Sequence, residues 1–213
     1  MGPFIQKLRL SVIADWQKIL THPFLVELVR GVLPRTKFDY YLSQDDHYLQ
    51  DLLSTLGILV AKSCGETKRF AVRLLYETLH GEITMHEVIA KEGKTKTFPR
   101  GEAASAYGDF LLRTAYEGDA LDILVAICPC FWSYLEIGEQ LFPQIETNIP
   151  SVYRFWVESY VSDGYRRITS ELLTRVEEEL SGVSERKHVN LVGLFQRATW
   201  FEYRFWEESY AFH

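Results

Sequence analysis

Residues 36–56 read TKFDYYLSQDDHYLQDLLSTL. Tyr41, Tyr48, Leu49, Leu52 and Leu56 recur at spacings of three, four and seven, the period of one face of an α-helix. Strand alternation is absent from the stretch. Asp45 shares the apolar face, four residues after Tyr41 and three before Tyr48, whereas Asp46 points about 100° away. Thr36 and Asp39 have the spacing of a capping box, so the helix is expected to open there and to run to about Lys62.

The same period extends outward in both directions. Phe4, Leu8, Val12, Trp16 and Leu20 predict a helix over 4–20, and a short helix follows "THPF" and ends near Gly31. Segments 66–92, 102–117, 120–141, 150–180 and 185–211 also read as helices. The joints are short and carry Gly or Pro, as in "CGE", "EGKTKTFPRGE", "EGD" and "LFPQIETNIP". No repeat, low-complexity tract or separating linker interrupts the chain. The expectation is a single all-α domain over residues 1–213, a bundle of seven to eight helices.

Composition narrows the function. The chain has 213 residues, a net charge of −6 and no basic stripe, which argues against a nucleic-acid partner. "LDILVAICPCFW" reads as too short and too interrupted to span a bilayer. The N-terminal segment lacks the apolar core of a signal peptide. Three cysteines are no disulfide framework, so a reducing, cytoplasmic location is expected. Aromatic residues make up 14% of the chain, enough to line a pocket or an interface. They crowd several faces of the last helix, at Trp200, Phe201, Tyr203, Phe205, Trp206 and Tyr210, which predicts a symmetric oligomer.

Two acids lie on apolar faces. Asp45 is one, and a purely structural role tying tyrosines together is as open for it as a ligand-binding one. Glu202 is the other, flanked at helical spacing by Phe195, Ala198, Thr199, Phe205, Trp206 and Ser209. A buried carboxylate without partners is costly, and two of them favour a functional cavity. Residues 126–140, AICPCFWSYLEIGEQ, add two cysteines around Pro129. They supply too few ligands for structural zinc and lack the CxxC spacing of a redox pair. Core packing competes with a nucleophile. Pro129 should start or kink a helix, leaving amide groups that favour a thiolate at Cys130. Cys130 shares its face with Ser133, Tyr134 and Ile137. Cys128 reads as core and Cys64 as structural, so Cys130 is expected to be the reactive thiol.

Three stretches, "HPFLVELVRGVLPRTKFDYYLSQDDHYL", "CPCFWSYLEIGEQL" and "FEYRFWEESY", resemble the TenA family, also called thiaminase II, in its cysteine-containing type. The likeness runs along almost the whole chain in order. It implies a heme-oxygenase-like helical bundle, a homotetramer, and hydrolysis of 4-amino-5-aminomethyl-2-methylpyrimidine to the hydroxymethylpyrimidine of thiamin salvage. Many members also cleave thiamin. By motif, the resemblance implies Cys130 as nucleophile and Glu202 as acid and base. It implies Asp45 as the pyrimidine-pairing acid, and Tyr48, Tyr107, Tyr134 and Tyr160 as substrate-binding residues. It implies no metal and no organic cofactor.

Two rivals come from other classes. A metal-dependent oxidase would use Glu82 and His86, spaced i and i+4 in "HGEITMHE". The rest of such a ligand set is missing, since the last helices offer only His188 near a loop and the terminal His213, so Glu82 and His86 read as a hydrogen-bonded pair. A non-catalytic pyrimidine-binding regulator is the second rival, and it would not need Cys130.

Overall fold

The computed structural model describes residues 2–93 and 96–212, so Met1, Lys94, Thr95 and His213 lie outside it. The described residues form eleven α-helices: α1 Pro3–Leu10, α2 Ile13–Leu20, α3 Pro23–Val29, α4 Arg35–Lys62, α5 Gly65–Glu77, α6 Ile83–Gly93, α7 Glu102–Glu117, α8 Ala120–Leu141, α9 Ser151–Tyr160, α10 Asp163–Glu178 and α11 Glu185–Ala211. The described residues contain no strand. The all-α expectation therefore holds.

The number of helices differs because three predicted segments divide. The segment 4–20 breaks at Ser11, whose hydroxyl bonds back to the Leu8 carbonyl. The segment 150–180 breaks at Val161 and restarts at Ser162, whose hydroxyl accepts the Tyr165 amide. The segment 66–92 contains a π-helical turn, Thr78–Glu82, between α5 and α6. Apolar period survives across each break, so periodicity alone cannot reveal it. The predicted Thr36–Asp39 capping box does not form. The helix begins after Pro34, and Asp39 instead accepts the Arg35 guanidinium at 2.6 Å.

Helix α8 is the axis of the bundle. It starts at a capping box, with Asp119 accepting the Asp122 amide and Asp122 accepting the Asp119 amide. It then runs through Pro129 without ending, and almost every residue from Leu121 to Tyr134 is buried. By length and composition this helix could cross a bilayer, although its longest apolar stretch read as too short and too interrupted to do so. It is the core helix here, wrapped by α2, α7, α9, α10 and α11. Close approach of α9 depends on Gly138, because a Cβ there would sit 3.0 Å from Tyr160 Cβ. That contact sets Tyr160 against the middle of the core.

The last helix is less crowded than its sequence suggests. Phe201, Phe205 and Trp206 all enter the core, and only Trp200 stays substantially outside, at 40% exposure. Arg197 and Arg204 lie over its ring. One core therefore absorbs most of the aromatic residues that were expected to need a partner.

Candidate active site

Four long helices converge on one enclosed space. Asp45 and Tyr48 come from α4, Tyr107 from α7, Cys130 and Tyr134 from α8, and Glu202 and Phe205 from α11. Six of the seven side chains singled out from the sequence line it, and Phe205 is the addition. The seventh, Tyr160, stands behind Tyr134, with ring centroids 4.8 Å apart. The space measures about 10 Å³, room for about one water. A substrate ring must spread these side chains or enter from the side.

The acids are held differently. Glu202 Oε1 accepts the Tyr107 hydroxyl at 2.7 Å. Burial is the main influence on Glu202, and the Asp45 and Glu82 charges add to it. Together they outweigh the Tyr107 bond and push the carboxyl up to about 8. It is therefore a protonated donor near neutral pH. Asp45 Oδ2 lies 3.3 Å from the Tyr41 hydroxyl, which lies 3.0 Å from the Tyr134 hydroxyl. Tyr41 has one proton, so the order Tyr134 to Tyr41 to Asp45 satisfies both contacts.

His86 completes this arm, and the sequence misplaced it. Its Nδ1 sits 2.6 Å from Asp46 Oδ1. Its Nε2 sits 3.1 Å from Asp45 Oδ2, an ion-pair distance with an angle poor for a hydrogen bond. The predicted Glu82–His86 hydrogen bond is not formed. Burial, the largest influence, opposes the charged ring. The bonds and charges of Asp45 and Asp46 together prevail and raise His86 to about 10. Asp46, read from the sequence as pointing away, anchors the imidazolium that faces Asp45. The signal was present: residues 45 and 46 flank one helix edge, and a histidine two helices on can bridge both.

Cys130 departs from expectation. It is 6% exposed, and burial followed by the Glu202 and Glu82 charges holds its thiol well above the usual range. The Tyr48 hydroxyl stands next to it and offsets this only in part, without meeting hydrogen-bond geometry to any described residue. The resting residue is a thiol and not the thiolate expected from Pro129, because the helix continues and no set of free amides forms. Cys128 is buried as expected, and burial raises it too. Cys64, read from the sequence as structural, is exposed.

Beside the cluster lies a second and larger cavity of about 440 Å³. Its walls are the π turn and α6 on one side and α9 and α10 on the other, with Glu82, Phe131, Tyr160 and Tyr165 nearest the cluster. Glu82 keeps some accessible surface although its carboxyl lies deep. That surface faces the cavity. Burial and the Asp45 charge outweigh His86 and raise Glu82 to about 8.

Comparison with known proteins agrees with the resemblance read from the motifs. The aminopyrimidine aminohydrolase of Halalkalibacterium halodurans is 29% identical over 202 residues, 92% of this chain and 90% of that protein. The solved structure of a TenA homologue from P. horikoshii superposes with a TM-score of 0.89 at 32% identity, covering 97% of this chain and 98% of the other. A Shewanella denitrificans domain of unknown function with a heme oxygenase-like fold has a TM-score of 0.70 at 16% identity, over 96% of this chain and 91% of its own. It supports the fold alone. The family model for TENA/THI-4/PQQC matches residues 11–211, and the chain belongs to that family.

Proposed function

We propose that the protein hydrolyses 4-amino-5-aminomethyl-2-methylpyrimidine, and thiamin, to 4-amino-5-hydroxymethyl-2-methylpyrimidine in thiamin salvage. The observation that carries this is the meeting of Asp45, Cys130 and Glu202 with three tyrosines around one enclosed space. The curated relative's activity points the same way.

An aminopyrimidine presents a ring nitrogen and an amine side by side. Asp45 pairs with that edge in a charge-assisted fork, and the Asp46-anchored His86 keeps its carboxylate aimed. The Cys130 sulfur adds to the ring carbon beside the nitrogen. The thiol proton passes to the ring nitrogen as the sulfur–carbon bond forms; before that Asp45 holds only the amine, and the protonated nitrogen then completes the fork, so the addition leaves the net charge unchanged. This suits a thiol that burial keeps neutral. With aminomethylpyrimidine, Glu202, protonated near neutral pH, gives its proton to the amine leaving the methylene, whereas the quaternary nitrogen of thiamin leaves as neutral thiazole with the bonding pair and needs none. The resulting carboxylate takes a proton from water as its oxygen bonds the methylene, and the thiol is regenerated when the sulfur–carbon bond breaks. Tyr107 orients Glu202. Tyr48 stacks on the substrate ring, and Tyr134 and Tyr160 support Asp45 through Tyr41. The reading requires no metal and no organic cofactor. It places one domain in the cytoplasm as a homotetramer.

Incubation with aminomethylpyrimidine and with thiamin, followed by mass, tests the reaction. Formation of hydroxymethylpyrimidine by the wild type and not by Cys130→Ser is the expected result. A regulator that only binds the pyrimidine would show no turnover in either protein.

A further inference from the structure

The cavity of about 440 Å³ lies outside the residues assigned to the reaction, Tyr160 excepted, yet it adjoins them. Phe131, in its wall, follows Cys130 in the chain. Tyr160, also in its wall, packs on Tyr134 of the reacting cluster. Tyr165 lies 5.1 Å from Tyr160 ring to ring, and its buried hydroxyl has no hydrogen-bond partner among the described residues. The volume falls in the range of about 300–1,000 Å³ typical of small-molecule sites. An ammonia-sized leaving group would leave such a chamber almost unfilled.

Its chemistry is one-sided. Glu77, Glu82 and Glu158 line it, together with Phe131, Phe155, Tyr160 and Tyr165, and the described lining contains no Lys, Arg or His. Glu77 and Glu158 each have an arginine, Arg167 at 3.8 Å and Arg154 at 4.0 Å. Glu82 has no ion-pair partner within 4.0 Å among the described residues. It stands on the π turn, at the end of the cavity nearest Asp45 and Cys130. A buried acid that releases its proton to solvent as a cation arrives beside it, set among aromatic faces, is the combination that recognises a flat organic cation. We propose that this cavity is the subsite for a cationic aromatic leaving half, the thiazolium of thiamin, with Glu82 facing its charge and Tyr160 and Tyr165 its ring. The proposal rests on the aminopyrimidine reading, since it needs the pyrimidine half in the cluster next door.

Gly164 offers a clean test. It lines the cavity, its φ is ordinary, and a Cβ added there meets nothing within 4 Å. Binding is measured by calorimetry in the Cys130→Ser protein, with thiamin and with hydroxymethylpyrimidine as probes. Adding Gly164→Phe should weaken thiamin at least about tenfold and leave hydroxymethylpyrimidine within about twofold. Glu82→Gln, which keeps the shape, should weaken thiamin about tenfold with the same selectivity. Unchanged thiamin affinity in both variants, or equal loss of both probes in proteins with unchanged melting, would overturn the subsite. Binding of hydroxymethylpyrimidine without any binding of thiamin by the Cys130→Ser protein would overturn it too. Failure of that protein to bind hydroxymethylpyrimidine is a different result, because it strikes the aminopyrimidine reading itself.

Discussion

The two adjoining spaces are built in opposite ways. The cluster of Asp45, Cys130 and Glu202 is held by α4, α7, α8 and α11, the long regular helices, and leaves about 10 Å³ free. The cavity beside it is walled by a π turn, α6, α9 and α10, with Phe131 of α8, and leaves about 440 Å³. Groups that must meet within bonding distance sit on elements that cannot easily shift. Glu82, the acid of the proposed subsite, sits on the irregular π turn. Both spaces hold a carboxyl raised to about 8 by burial, Glu202 in one and Glu82 in the other. Among the described residues only Glu202 has a tyrosine donor fixing its direction, which suits it to the proposed role of proton donor.

That contrast breaks first at Cys130. Cys130→Ser should lower turnover on the order of a thousandfold or more, because serine is far harder to ionise, while hydroxymethylpyrimidine binding stays within about threefold. Near-normal hydrolysis would remove the nucleophile from the cluster. Glu202→Gln should follow, with kcat down by about 10²–10⁴-fold. The pH profile sharpens it. Glu202 must be protonated to donate, so wild-type kcat should fall as pH rises through about 8, and Glu202→Gln should lose that limb. Glu82→Gln should keep it, and loss of the limb in Glu82→Gln instead would exchange the two acids' roles.

Asp45→Asn should weaken pyrimidine binding by about 1–3 kcal/mol, the cost of losing a charge-assisted bond in a buried site. His86→Asn and Asp46→Ala act one step further out. A smaller loss is expected, about tenfold in kcat/KM, with the pH limb of Glu202 in place. Unchanged kinetics in both would make the Asp46–His86–Asp45 arm structural only.

The remaining effect is on stability. Glu202, Glu82 and His86 all bind protons more tightly folded than unfolded, at about 8, 8 and 10. Each stabilises fully below its unfolded value and loses that contribution as pH rises through its folded one. The melting temperature should fall from near pH 5 to near pH 10, at no more than roughly 1.4 kcal/mol per pH unit for each titrating group. His86→Asn should flatten the upper part of the curve, between pH 8 and 10. A curve identical to the wild type there would deny His86 its charge.

How far the sequence was legible follows the same division. Helical period placed Asp45 and Glu202 on inward faces because α4 and α11 are long and regular. The family motifs carried Cys130, Tyr107 and Tyr134 to the same space. Glu82, Tyr165 and the cavity stayed hidden, because a π turn and the restart at Ser162 leave apolar spacing almost unchanged. His86 was misread toward Glu82, its neighbour at i−4, when its partners lie across the bundle on α4. The thiolate expectation at Cys130 failed for a tertiary reason, since α8 continues through Pro129 with its centre packed on all sides. Cys64, exposed at the start of α5, should now be alkylated before Cys130 in the free protein.

The most direct measurement is therefore the mass of Cys130 peptides during turnover. Glu202→Gln protein is mixed with aminomethylpyrimidine, quenched in acid and digested, and the pyrimidine-sized mass increase is mapped. An adduct on Cys130 that is absent from Cys64 and Cys128, and absent when hydroxymethylpyrimidine is present in excess, is the predicted result. Steady hydrolysis by wild-type protein with no adduct on Cys130 at any time, joined to an active Cys130→Ser variant, would contradict the covalent account.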